Sequence, residues 1–149
     1  MPIPKLVAMR GVPASGKSTV AREMVEKRNF KRVNKDDLRA MIDNGVYSIE
    51  NEGFVRLAVG LIVHAALSHG YSVVVDDCHN NPKRTDELRS LASKLGVEFE
   101  IMDFDVPVEE CIRRDALRPR PVHADRIRQM AQEIAAIRAA EEDARDKAR

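Results

Sequence analysis

Cysteine is scarce in this chain: Cys78 and Cys111 are the only two. They are too few and too unpatterned for a disulfide framework or a zinc site, and a reducing cytoplasm is the expected setting. Strong charge of one sign is also missing. The chain has 25 basic and 24 acidic residues, a formal net charge of +1. That balance does not advertise nucleic-acid binding, so any basic surface has to be local and offset by acids elsewhere. The longest apolar run, Val55 to Leu67, contains Arg56 and His64 and is too short to span a bilayer. No signal peptide is expected ahead of the first strand. The four histidines (His64, His69, His79 and His123) show no metal-ligand spacing. Repeats, low-complexity tracts and internal linkers are lacking as well. What is present is 149 residues, 44% apolar and 33% charged, expected to form one domain over 1–149 that buries roughly 70% of its unfolded surface.

The strongest signal is Gly11-Val12-Pro13-Ala14-Ser15-Gly16-Lys17-Ser18-Thr19, which fits the phosphate-binding pattern G-x-x-x-x-G-K-[ST]. Leu6 to Met9 before it reads as a buried strand. Thr19 to Val25 after it has helical spacing, with Val20, Met24 and Val25 on one face. The glycines permit a tight turn whose N–H groups point at an anion, and the helix N-terminus adds its own unpaired donors and dipole. Pro13, Ala14, Ser15, Gly16 and Thr19 then belong to the cradle, with Gly11 opening it. Lys17 bridges the β- and γ-phosphates of ATP or another nucleoside triphosphate, and the Ser18 hydroxyl takes a place on Mg²⁺.

Further along, Asn29 to Val33 is a weak, edge-type strand, and Asn34 caps a short helix ending near Asn44-Gly45. A long helix is expected from Glu50 to Ser68, its apolar face made by Phe54, Leu57, Leu61, Ile62, Ala65 and Leu67. Val73-Val74-Val75 reads as a strand buried on both faces. Asn80-Asn81-Pro82 opens a helix to Leu95-Gly96, Val97 to Met102 alternates as a strand, and the chain is helical from Pro107, interrupted at Pro119 and Pro121. From Ala124 one continuous helix is expected, exposed near its end, with i,i+4 pairs Glu141–Arg145 and Asp143–Lys147. Alternating strands and helices imply an α/β fold with a parallel sheet and ligands at the strands' carboxyl ends.

Three places there offer chemistry. Asp36-Asp37 supplies either a general base for an acceptor hydroxyl or only an acidic pair favoured by a helix dipole. Arg39, one turn on, is placed either to hold an anionic acceptor or as a solvated surface residue. Asp76-Asp77 ends an apolar strand, either as a Mg²⁺-holding acid or as a turn cap; neighbouring strand residues point oppositely, so one of the two at most faces the site. Arg114 and Arg118 are four apart and would share a helix face in a mobile lid, against the alternative of a solvated basic face. Asp103-Phe104-Asp105 imitates a phosphatase motif but has too little chain after it, and reads as a strand end.

The ordered set of the phosphate loop, Asn34-Lys35-Asp36-Asp37-Leu38-Arg39, Asp77 ahead of Asn81-Pro82-Lys83-Arg84, and Phe104-Asp105-Val106-Pro107 before the arginines resembles the kinase module of phage-type polynucleotide 5′-hydroxyl kinases over nearly the whole chain. The resemblance implies a three-layer P-loop kinase fold with about four parallel strands and an arginine-bearing helical lid. It also implies Asp36 as general base, Arg39 on the acceptor's phosphate, Lys17, Arg114 and Arg118 as catalytic cations, and Asp77 at the acceptor side as a Mg²⁺ ligand. The implied substrates are ATP with Mg²⁺ and a single-stranded 5′-OH DNA or RNA end. Lys35, Arg39, Lys83 and Arg84 are candidate walls of its channel, and no membrane is implied. Cys78-His79 departs from the Thr-Asn pair frequent at that point of the family pattern. The acceptor alternative is a small molecule on the same scaffold: a sugar, an antibiotic, a nucleoside or a nucleotide.

Overall fold

The computed structural model describes residues 3–149. Four parallel strands form one sheet: β1 (Lys5–Arg10), β2 (Lys31–Val33), β3 (Val73–Val75) and β4 (Glu98–Asp103), in the order β2-β3-β1-β4. Leu6, Val7 and Ala8 of β1 pair with Val73, Val74 and Val75, while its other edge pairs with β4 from Lys5↔Glu98 to Arg10↔Asp103. The short, charged β2 lies at the sheet edge beside β3.

Strand alternation decides where the helices sit, because successive side chains leave opposite faces. Val7, Met9 and Val74 meet Ala21 and Met24 of α1 (Lys17–Arg28). Leu6, Ala8, Val73 and Val75 face the other way, toward α2 (Lys35–Asp43), α3 (Ile49–Ser68) and α4 (Pro82–Leu95). A third cluster joins Val12 to Cys111 of α5 (Val108–Ala116) and to Ile127 and Ile134 of α6 (Ala124–Lys147). The result is an α/β fold with a central parallel sheet flanked by helices.

Two packing expectations are corrected. The sheet-facing stripe of α3 is Val55, Val59, Val63 and Leu67, all at i,i+4 spacing. Burying each stabilises the fold by about 1.5–3 kcal/mol relative to exposure. Phe54, Leu57 and Leu61 are more than half exposed, and Ile62 and Ala65 are exposed too; of the expected face only Leu67 is buried. An all-round apolar helix contains two candidate stripes, and β-branched valines won the one that matches the flat sheet. On α1, Met24 is buried and Val20 packs on the core, but Val25 is exposed and Ala21 takes its place.

Helix starts follow capping chemistry. Asn34, Ser48 and Asn81 each accept an N–H from the first turn of α2, α3 and α4, and Pro82 occupies the first position of α4. At the far end of α6 the Asp143–Lys147 pair forms at 3.0 Å. Glu141, expected to pair with Arg145, instead reaches back to Arg10 at 2.6 Å, and Asp103 takes the same guanidinium at 2.7 Å. Arg10 is almost fully buried, so two carboxylates on one buried cation lock α6 across the sheet. No helix among the described residues is long and apolar enough to cross a membrane.

Candidate active site

The phosphate loop leaves β1 and enters α1 at the strands' carboxyl ends. Two glycines are dictated by geometry. A Cβ on Gly11 would lie 2.9 Å from both the Phe104 Cβ and the Ser15 Oγ, and Gly16 has φ +94°. The Gly11 N–H donates to Cys78 O at 3.1 Å, tying the loop to the end of β3. Lys17 is buried, and its ammonium donates to Gly11 O and Val12 O at 2.9 and 2.8 Å. Pro13, Ala14, Gly16, Lys17, Ser18 and Thr19 line a cleft of about 900 Å³. Gly11 and Ser15 are not part of that lining and shape the loop from beneath.

The opposite wall is the junction of β3 and α2. Asn34 Nδ2 donates to Asp76 O at 2.5 Å while its Oδ1 accepts the Asp37 N–H at 2.9 Å. Asp77 Oδ1 accepts the Lys35 N–H at 3.2 Å. Asp36 therefore projects from a helix start that is held at both ends of its turn. It lines the cleft, 80% exposed, and accepts from Arg39 at 2.7 Å. Asp37 turns to Arg32 at 2.7 Å and is not part of the cleft lining. Arg39 is oriented by the buried Glu52, which takes Nε and Nη2 at 2.8 and 2.5 Å; the guanidinium holds the Glu52 carboxyl below its ordinary range.

Asp76 and Asp77 both border the cleft where β3 ends, but the Asp76 N–H still donates to Val33 O at 2.8 Å and its carboxylate is buried and turned onto Arg32. Asp76 is buried against Arg32 at 2.8 Å, and its Oδ1 has no partner among the described residues. Asp77 is pushed up to about 7 by burial, against the Lys35 ammonium and N–H, which lower it. A raised acid keeps its proton in the native state where the unfolded chain, titrating near 3.8, has already lost it. The native state then binds more protons across that interval, so stability contributed at this residue falls as pH rises from about 4 to about 7. Asp77→Asn should flatten that slope in thermal melts taken at pH 4.5, 6 and 7.5; an unchanged slope would show that another group causes it.

Burial also raises the Cys78 thiol and lowers His79 to about 4. Neither presents a thiolate or an imidazolium at neutral pH. His79 has φ +52° and bonds through Nδ1 to Met9 O and Asp77 O, a structural tie between β1 and the β3 end.

The segment expected to act as a lid comprises α5, the turn 117–123 and the first turns of α6. Arg114 is on α5, bonded to Glu110 at 2.9 Å and to Ala14 O of the phosphate loop at 3.4 Å. The expected shared helix face is corrected, since α5 stops at Ala116 and Arg118 lies in the turn. Both nonetheless line the cleft. The turn is fixed by the buried Asp115, which accepts the Val122 and His123 N–H groups at 2.9 Å and faces Arg118 at 3.6 Å.

Glu52, Arg56, Arg126 and Asn80 are among the lining residues that the sequence reading did not mark as functional. Glu133 ties two of them together, taking Asn80 at 2.8 Å and Arg126 at 3.3 Å. Charges on an otherwise apolar helix were the available signal for Glu52 and Arg56; nothing local marks the other two. Lys83, a candidate channel residue, is not part of the cleft lining, whereas Lys35, Arg39 and Arg84 are.

Among the described residues no group of three His, Cys, Asp or Glu side chains could hold a metal by itself. Mg²⁺ does not need one, because it keeps waters and phosphate oxygens and takes one or two protein oxygens. The donors that border the cleft are of that kind: the Ser18 hydroxyl and the Asp77 carboxyl, with the unpartnered Asp76 Oδ1 buried next to them.

A parallel sheet flanked by helices, with a phosphate loop running from β1 into α1, is the P-loop kinase fold. Residues 6–139 match the AAA domain family AAA_33, and the chain belongs to that family. It is 24% identical over 129 residues to the L-seryl-tRNA(Sec) kinase of Methanococcus maripaludis, covering 84% of this chain and 50% of that protein. A chain of the Pnkp1/Rnl/Hen1 RNA repair complex superposes with a TM-score of 0.82 at 25% identity, covering 94% of this chain and 47% of that one. The APS kinase CysC of Mycobacterium tuberculosis shares the fold at a TM-score of 0.62 and 22% identity, over 78% of this chain and 71% of that one. The chain thus spans about half the length of the seryl-tRNA kinase and of the repair-complex chain.

Proposed function

We propose that this chain transfers the γ-phosphate of ATP to the 5′-hydroxyl of a single-stranded DNA or RNA end. The observation that supports it most is the Asp36–Arg39–Glu52 assembly: a solvent-facing carboxylate beside a guanidinium held rigid by a buried acid, across the cleft from the phosphate loop. Asp36 accepts the proton as the 5′-oxygen attacks phosphorus; the bond to the β-phosphate's bridging oxygen breaks and ADP leaves. Lys17, Arg114 and Arg118 stabilise charge gathering on the transferred group. Ser18 and Asp77, with Asp76 beside them, would hold Mg²⁺, which neutralises phosphate charge when bound. Arg39 offers the acceptor's neighbouring phosphate the guanidinium N–H groups that Glu52 and Asp36 leave free. The ordered sequence motifs and the likeness to a chain of an RNA repair complex support a nucleic-acid acceptor. The second reading is a small-molecule kinase, supported by the fold shared with APS kinase.

Salt separates the two. Eight basic and five acidic side chains line the cleft, an excess suited to a polyanion in a protein with little net charge. An oligonucleotide acceptor should show a KM that rises steeply between 50 and 200 mM salt as counterions compete. A small neutral acceptor turned over at least as well, with salt-independent KM, would favour the second reading.

Arg114→Ala and Arg118→Ala should each lower turnover by roughly 10²-fold, the scale of losing one charge-stabilising donor. Lysine should restore little, lacking the planar fork. If both alanine variants keep more than about half of the activity in steady-state assays, the two arginines are only a solvated surface.

A further inference from the structure

Six arginines line the cleft, and five of them already face an acid: Arg39, Arg84, Arg114, Arg118 and Arg126 each have a carboxylate oxygen within 3.6 Å. Arg56 alone has no acidic partner among the described residues. It sits one turn beyond Glu52 on the same side of α3, its backbone about 6 Å along the helix axis from that of the residue that orients Arg39. Both side chains face the same cleft. The charge of Arg56 acts on Glu52, but its guanidinium makes no ion pair among the described residues and is left open to an anion in the cleft.

The space beyond Arg56 is open. Gly60, one further turn along α3, also lines the cleft, and a Cβ placed there would meet no atom within 4 Å. Opposite lie Leu88 and Leu91 of α4, with Val59 beside them on α3. A charged track, with the half-buried Leu91 as apolar surface over the buried Leu88 and Val59, suits a single strand, which presents phosphates on one edge and base faces on the other.

We propose that the acceptor is an oligonucleotide held by two successive backbone phosphates, the first at Arg39 and the second at Arg56, with the strand continuing past Gly60. This rests on the 5′-hydroxyl kinase reading and narrows it: a nucleoside 3′-phosphate fills the first site only. Arg56 then determines a preference for acceptor length.

The test compares kcat/KM for two acceptors that differ by one phosphate, the dinucleoside monophosphate NpN and its 3′-phosphorylated form NpNp, and for a hexamer. With the unaltered protein NpNp should exceed NpN by roughly tenfold, the equivalent of one charge-assisted contact. Arg56→Ala should reduce that ratio to near one, and Arg56→Lys should keep part of it, since a point charge still attracts phosphate. Gly60→Leu, which adds bulk into open space, should lower the hexamer's kcat/KM relative to that of NpN. Melting curves check each variant; Arg56 is exposed and unpaired, so its removal should leave folding intact. Equal kcat/KM for NpN and NpNp with the unaltered protein would overturn the proposal, as would an Arg56→Ala loss of the same factor on both. If the unaltered protein phosphorylates none of the three, the 5′-hydroxyl kinase reading itself fails, and the second phosphate site with it.

Discussion

Lys17→Ala should lower phosphoryl transfer by about 10³-fold or more, the upper end of what one preorganised donor contributes, and it should do so in a folded protein. The ammonium sits on Gly11 O and Val12 O and, at 3.4 Å, on the Ser15 hydroxyl, all of them in its own loop. Removing it leaves these carbonyls to water admitted by the smaller alanine, so the melting temperature should move by a few degrees at most. The phosphate-facing N–H groups of the loop remain, and ATP affinity should fall much less than turnover. Steady-state kinetics with a nucleotide-binding titration and a thermal melt separate these effects. A folded Lys17→Ala protein with near-normal turnover would remove the phosphate loop from the mechanism.

The second large effect separates two adjacent acids. Asp36 and Asp37 both sit in the first turn of α2 and share whatever its dipole supplies, so their proximity to the helix start cannot distinguish them. Direction can. Successive helical residues point about 100° apart, and Asp36 faces the cleft beside Arg39 while Asp37 is turned onto Arg32. Asp36→Asn keeps shape and hydrogen bonding and removes the proton acceptor; turnover should fall by roughly 10²- to 10⁴-fold with ATP binding little changed. Asp37→Asn loses an exposed ion pair worth about 0.2–1 kcal/mol and should cost mainly a slight loss of stability. A dead Asp37→Asn enzyme beside an active Asp36→Asn one would show that the base has been misassigned.

The phosphate loop, the order of strands and helices and the edge position of β2 were legible because each is written in local pattern: glycine spacing, β-branched runs, caps. The stripe that α3 buries was not. Its twenty residues are apolar nearly all round, and only the sheet decides that Val55, Val59 and Val63 go inside while Phe54, Leu57 and Leu61 stay out. The partnership of Arg39 with Glu52 spans thirteen positions and two helices, so no periodicity announces it. Arg10 is a similar case: a residue at the end of an apolar strand is held by Asp103 and by Glu141, the latter 131 positions away. A separation of 53 positions likewise hid the bond between Asn80 and Glu133. The spacing of Arg114 and Arg118 implied one helix, yet the turn anchored by Asp115 brings both to the cleft without one.

The most direct measurement is transfer of label from γ-labelled ATP to 5′-OH DNA and RNA oligonucleotides, run beside the same strands already carrying a 5′-phosphate and beside small hydroxyl acceptors. The proposed reaction puts the label on the 5′ end of the free-hydroxyl strands, in a form that a phosphatase removes, and leaves the blocked strands unlabelled. Label on a small acceptor with none on any 5′-OH strand would contradict it.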